Sequence, residues 1–341
     1  MTGGLTWARL SYRQQRWELW LVAAGAALLV GAMLWFAYTL DGLYAFSPDC
    51  LAYVAEELDS LTGPPVGCEA ILDAYYEAQG RASNLLGIAL VAPFGIGVIL
   101  GAPLVAREID GGTAQVAWSL SPSRVRWLLR RIGIVAVFGL LLLGVISVIG
   151  EVLAAAIWPE RTLAEDFVYF GMRGLPIVAR GAGAMMLSVL VGALIGRVLP
   201  AVLASAVVIG VVFVGINFAQ DAWAESEATI QRFYDDAGNP VPFDRAALDV
   251  EYGLETPDGD FLSYATAYER GVNETYNDDR GRVFASQEDL AAGRMLGHDV
   301  RLLVPGERYL ELVLRDSVIA ILVGAAALAT AAVVVVRRRP T

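Results

Sequence analysis

The chain has 341 residues, 56% of them hydrophobic and only 18% charged, with a net charge of −11. A soluble domain carries about 25% charged residues, so this composition points away from one. All 25 basic residues are arginine, and the chain holds a single histidine, His298. The missing lysine excludes a phosphate-binding loop that needs one. The single histidine leaves no histidine cluster for a metal and no Ser-His pair elsewhere, so no catalytic or metal-binding residue is assigned. The acidic balance argues against nucleic acid as a partner.

Read in chain order, residues 1–18 place Arg9, Arg13 and Arg16 on one helical face with Trp7 and Leu10 off it. This is either an amphipathic helix lying in the inner membrane interface or a basic flank that sets topology. Residues 19–40 form the first charge-free run, too long for a signal-peptide core and not followed by a small-residue cleavage site, so it is expected to be a retained span. Residues 41–81 follow as a loop holding the only two cysteines, Cys50 and Cys68, expected to form a disulfide in an oxidising compartment. Further spans are expected at 82–106, 132–158, 175–196, 198–220 and 317–336, each near the roughly 20 apolar residues needed to cross about 30 Å of hydrocarbon. The fourth and fifth form a tight helical hairpin.

Orientation follows from the arginines. Every short segment that is net positive lies on one side if residues 1–18, the loop 107–131, Arg197 and the tail 337–341 are cytoplasmic. That leaves 41–81, 159–174 and 221–316 outside the cell membrane, in a multi-pass protein with both termini inside. The segment 221–316 holds 21 acids and 9 arginines among short apolar runs and turn signals such as Pro257-Asp258-Gly259-Asp260. Its aromatic residues favour a small mixed α/β cap over a disordered linker. The expected fold is therefore an all-α polytopic membrane protein of six transmembrane helices, with a mixed α/β extracytoplasmic cap between spans five and six.

Two ionisable residues interrupt the spans. Glu151 and Arg180 fall at similar depths near the outer ends of the third and fourth runs. Either they pair across the two helices, as an outer gate or part of a substrate path, or each reaches the headgroups separately.

The loop 107–131 is the richest segment. Gly111-Gly112 ends or bends a helix, and Ser121-Pro122-Ser123 offers an N-cap with proline at the first helical position. With Trp118, Trp127 and several arginines, the loop reads either as a protein-docking surface or as an anchor to anionic lipid with interfacial tryptophans. Its pattern, Ala106-Arg107-Glu108 with Gly112-Thr113 and then Ala117-Trp118 through Trp127, resembles the permease subunit of ATP-binding cassette (ABC) exporters, in the six-span class common in high-GC Gram-positive bacteria. The likeness extends to Arg173-Gly174-Leu175-Pro176, to Gly196-Arg197-Val198-Leu199-Pro200-Ala201 and to Pro305-Gly306-Glu307-Arg308-Tyr309, about half the chain in all.

This resemblance implies a transport subunit that is not itself an enzyme. It implies a soluble ABC ATPase subunit as partner, carrying the ATP and Mg, and a second permease copy or paralogue in the lipid membrane. The ATPase is expected to couple through Arg107, Glu108, Gly112, Thr113, Trp118, Arg124, Arg126 and Trp127. No cofactor is expected on this chain. The competing reading is a membrane-anchored sensor or assembly factor whose cap binds a ligand.

Overall fold

The computed structural model describes residues 3–51, 66–114, 123–159, 161–235, 237–242, 244–270, 272, 275–278 and 280–338, without the side chains of 3–11 and 14. It is mostly helical, with six helices long and apolar enough to cross a membrane, and it adds a small sheet. The chain divides into two units. One takes in residues 1–161, 169–213 and 313–341; the other takes in 162–168 and 214–312.

The long helices are α1 (Gly3–Phe46), α2 (Glu69–Asp110), α3 (Arg124–Ile157), α4 (Leu175–Ile195), α5 (Val198–Glu227) and, at the C-terminal end, α8 (Tyr309–Arg337). Several outrun their apolar stretches. At 1.5 Å per residue the 42-residue α2 is about 60 Å long, twice a hydrocarbon core. Its first turns, with Glu69, Asp73, Glu77 and Arg81, account for much of the excess. α1 is broken at Gln15, which leaves helical geometry, so the run from Gln15 onward is a separate straight segment. α3 begins one step later than the sequence suggests. Ser123, not Ser121, caps it, its Oγ accepting the Arg126 N–H at 3.1 Å. α4 stops at Gly196, whose φ of +70° is the left-handed turn that a glycine adopts without a Cβ penalty, and α5 starts two residues on.

Among the helices, α2 and α4 share the tightest seam. A Cβ on Gly97 would lie 2.8 Å from Ala184 and from the Met185 backbone, and one on Gly101 would lie 2.8 Å from Ser188. Gly192 sits equally close to the Ala102 carbonyl. Lipid tails are as apolar as leucine, so helices in a bilayer gain little by hiding leucine and associate where small residues let backbones touch. The same device joins α4 to α8, where Gly183 lies against Ala320 and Gly324. At the far ends of α1, α2 and α3, the Tyr44 ring meets the Tyr75 ring edge-on at 5.6 Å, and the Tyr75 hydroxyl donates to the Ile157 carbonyl at 3.0 Å. Cys50 and Cys68 are joined as a disulfide, as expected.

The second unit is built on an antiparallel sheet. Its strands are β1 (Thr229–Arg232), β2 (Leu248–Glu255), β3 (Phe261–Ser263), β4 (Tyr276–Asn277), β5 (Arg282–Phe284) and β6 (Gly297–Val304), with two short helices, α6 (Tyr264–Glu269) and α7 (Gln287–Ala292). The spatial order is β3-β2-β6-β5-β4, with β1 also on β6. The strand β6 is central: its run from Val300 to Val304 is buried throughout, and it takes partners along both edges. Thr256 to Asp260 closes the β2–β3 hairpin, the turn that Pro257-Asp258-Gly259-Asp260 predicts. Residues 162–168 belong here too: the Phe167 N–H donates to the Ala246 carbonyl at 3.0 Å, and the Phe167 ring packs on Tyr309. The sequence reading treated them only as part of the connection 159–174.

Alkylation of the denatured chain should label neither cysteine until a reductant is added, and then both. For a closed loop of this size the bridge contributes about 3 kcal/mol in chain-entropy accounting. Labelling before reduction would contradict the pairing.

Candidate functional site

The last turn of α2 carries Arg107, Glu108 and Asp110, and each holds a different helix. Arg107 bonds Glu18 of α1. Glu108 takes Nη1 of Arg131 on α3 through Oε1, and its Oε2 accepts the Thr113 hydroxyl. Asp110 accepts the Val198 N–H at 3.3 Å, one of the unpaired amides at the start of α5. A carboxylate at a helix N-terminus also meets the positive end of its dipole.

Two arginines complete the set. Nη1 of Arg124 on α3 donates to the carbonyls of Val335, Val336 and Arg338, at the C-terminal end of α8. Arg338 in turn donates to the Ala193 and Leu194 carbonyls at the end of α4. Cations at helix C-termini satisfy orphan carbonyls and oppose the dipole's negative end. All six long helices are therefore tied to one another at this end by charged side chains.

The buried member of the set is the Glu108–Arg131 pair, with each residue only 4% exposed. Arg131 also lies 5.6 Å from the centre of the Trp127 ring, itself buried. Its Nε and Nη2 have no acceptor among the described residues. Two residues of the docking expectation are buried here. Glu108 and Trp127 are inside the helical unit, because Glu108 needs Arg131 and the indole covers the guanidinium. Arg126 and Arg130 are exposed, as are Gly111, Gly112 and Thr113 in the turn that follows α2. Gly112 has φ +66°, a turn conformation suited to glycine. Arg124 is half-buried and engaged with α8. Trp118 lies in 115–122, outside the described residues.

The opposite ends of the helices hold two more ion pairs, and neither joins Glu151 to Arg180, one of the two readings of those residues. Glu151 and Arg180 do not bond each other. Arg180 on α4 makes a two-pronged bond to Asp316 on α8, Nε to Oδ2 at 3.0 Å and Nη2 to Oδ1 at 3.2 Å, with both residues buried. Glu151 on α3 instead accepts Nη1 of Arg173 at 2.7 Å. Arg173 is 1% exposed and precedes α4 by two residues. Physical economy demanded partners for both charges, and closer ones existed. Asp316 stands one residue outside the charge-free run 317–336, and Arg173 stands in the loop before α4. A search for acids and arginines just beyond the ends of each run would have found both.

In the sheet-containing unit, Arg301 is buried and fully occupied by Gln231 Oε1, Asp249 Oδ1 and the Asp244 carbonyl. The hydrogen bond from Arg232 holds the Glu255 carboxyl below its usual value. Burial pushes Asp299 up, although the Tyr264 hydroxyl donates to it at 2.7 Å. These contacts are closed within the unit. No group of three or more metal-binding side chains occurs among the described residues.

Six apolar helices fastened by buried ion pairs define a polytopic membrane protein. The family model described as "ABC-2 membrane transporter related" matches residues 22–220, well over half of the chain, and the chain belongs to that family. The match spans most of α1 through α5 and ends before the first strand. No curated protein and no solved structure matches the chain.

The Arg180–Asp316 pair yields a direct test. Arg180→Asp alone and Asp316→Arg alone each leave two like charges facing one another out of water. Each should lower the thermal midpoint of the purified protein sharply, by several kcal/mol in free energy. The double exchange should recover at least half of that loss, read by fluorescence-detected size exclusion after heating. Loss in the double variant equal to the sum of the singles would show that the residues do not interact.

Proposed function

We propose that the chain is the membrane subunit of an ATP-driven ABC exporter, with both termini and the α2–α3 connection in the cytoplasm and the sheet-containing unit outside. A separate soluble ATPase, carrying the ATP and Mg, docks on that connection. A second permease, identical or paralogous, completes the substrate path. The direction of transport rests on the resemblance to six-span exporters.

The observation that carries this reading is the fastening of α1, α3 and α5 to the single turn of α2 that leads into the α2–α3 connection. A push on the connection reaches three helices at once through Arg107, Glu108 and Asp110, while Arg124 and Arg338 extend it to α8 and α4. In this account Glu108 and Trp127 transmit force rather than touch the ATPase. The docking contacts fall to Arg126, Arg130, Gly112, Thr113 and the adjoining segment that includes Trp118. The sensor alternative has less support, because the family match covers the spans and this connection rather than the sheet-containing unit.

The test is co-purification of the full chain with the ATPase encoded beside it. Exchanging both Arg126 and Arg130 for glutamate should weaken the complex at least about tenfold, equivalent to 1.4 kcal/mol, with the permease's own thermal midpoint unchanged because both side chains are exposed. Full retention of the ATPase by that variant would place docking elsewhere.

A further inference from the structure

Between α1 and α3, at the end of the helical unit opposite Arg107, lies an open groove of about 520 Å³. Leu34, Ala37, Tyr38, Asp41 and Tyr44 line it from α1. From α3 come Val152, Ala155 and Ala156, and Pro159 follows just beyond its end. Its size is that of a small-molecule site, and its wall is apolar apart from one carboxylate and two phenols.

Three features give the groove one electrostatic sign. Asp41 is the one charged residue among the described residues that line it. It directly follows the charge-free run 19–40, so it stands where the apolar wall ends. The α3 side is the last turn of a helix that stops at Ile157, where backbone carbonyls lack helical partners and carry the dipole's negative end. Tyr38 and Tyr44 supply aromatic faces, which attract cations. Nearby cations are committed elsewhere: Arg173 to Glu151, and Arg161 over the Trp158 ring at 4.5 Å. The wall is also held in place. The Tyr44 hydroxyl lies 3.3 Å from that of Tyr75, which donates to the Ile157 carbonyl, so α1 and α3 are bridged beside the groove.

We propose that this groove binds a lipophilic cation, an organic ammonium or phosphonium with an apolar body, drawn from the outer part of the bilayer. The apolar wall takes the body; Asp41, the tyrosine faces and the α3 terminus take the charge. Reading the occupant as cargo rests on the permease assignment, but the binding itself does not require the ATPase. The two ideas therefore fail separately.

The probe is radiolabelled tetraphenylphosphonium, with tetraphenylborate as an anion of matched shape, on the full chain in phosphatidylcholine nanodiscs with empty nanodiscs subtracted. Tetraphenylphosphonium should bind saturably, one per chain, and tetraphenylborate should not. Asp41→Asn should weaken binding at least about tenfold, a change of 1.4 kcal/mol. Asp41→Glu should stay within a few-fold of the parent, and Ala155→Phe, which fills the groove from an exposed position, should remove saturable binding. Unchanged affinity in Asp41→Asn, saturable binding of both ions alike, or full binding by Ala155→Phe would each overturn the proposal.

Discussion

Glu108 and Arg131 are ion-pair partners almost wholly out of water, and their position governs the helical unit. Taking a carboxylate and a guanidinium from water costs several kcal/mol apiece, so neither is tolerated there without the other. The pair sits in the last turn of α2 and about two turns into α3, and it sets the spacing of those helices at the point where the chain leaves α2. Arg107 and Asp110 flank Glu108 and pull α1 and α5 onto the same turn. Elsewhere in a bilayer-spanning bundle apolar contact is non-specific, since lipid offers the same surroundings. Charge pairs and close backbone approaches therefore decide which helix meets which.

The two ends of the bundle use this logic differently. At the Arg107 end the ties run through helix termini: guanidinium groups on final carbonyls and a carboxylate on a first amide. Such contacts involve charges near polar backbone and can exchange partners at modest cost. At the other end Arg180 and Asp316 meet inside the bundle, locking α4 to α8 beside the Gly183–Ala320 contact. α4 thus lies between two small-residue seams and carries a buried arginine. It is the most buried of the six apolar windows. In the proposed permease this makes α4 the axle against which α2 and α8 are registered.

Much of this architecture was legible in the sequence, and the reasons differ by element. Charge-free runs report spans directly, because a membrane removes the water that would solvate a charge. The hairpin of the fourth and fifth spans was visible through the shortness of their connection, and the start of α3 through Ser121-Pro122-Ser123. The single pair of cysteines left one pairing. The partners of Glu151 and Arg180 were missed because depth along a helix is a one-dimensional coordinate. It says which charges share a level and not which helices are neighbours. Asp316 lies 136 residues from Arg180. Glu108 and Trp127 were read as surface residues because charge and aromatic area mark interfaces as well as buried networks. Only the position of Arg131 distinguishes the two. The contribution of 162–168 to the sheet-containing unit includes a backbone bond and a ring contact that no pattern in those seven residues announces.

The Glu108–Arg131 pair is the fastening at the root of the α2–α3 connection. A double-mutant cycle tests it most directly, using Glu108→Gln, Arg131→Met and the combined variant, with unfolding free energies measured in mixed detergent micelles. Each single change strands a buried charge and should lower stability by about 3–5 kcal/mol. The combined variant strands none, so its loss should fall short of the sum by about 1 kcal/mol or more. Additive losses, or singles within about 0.5 kcal/mol of the parent, would contradict the claim that this pair holds the helices together.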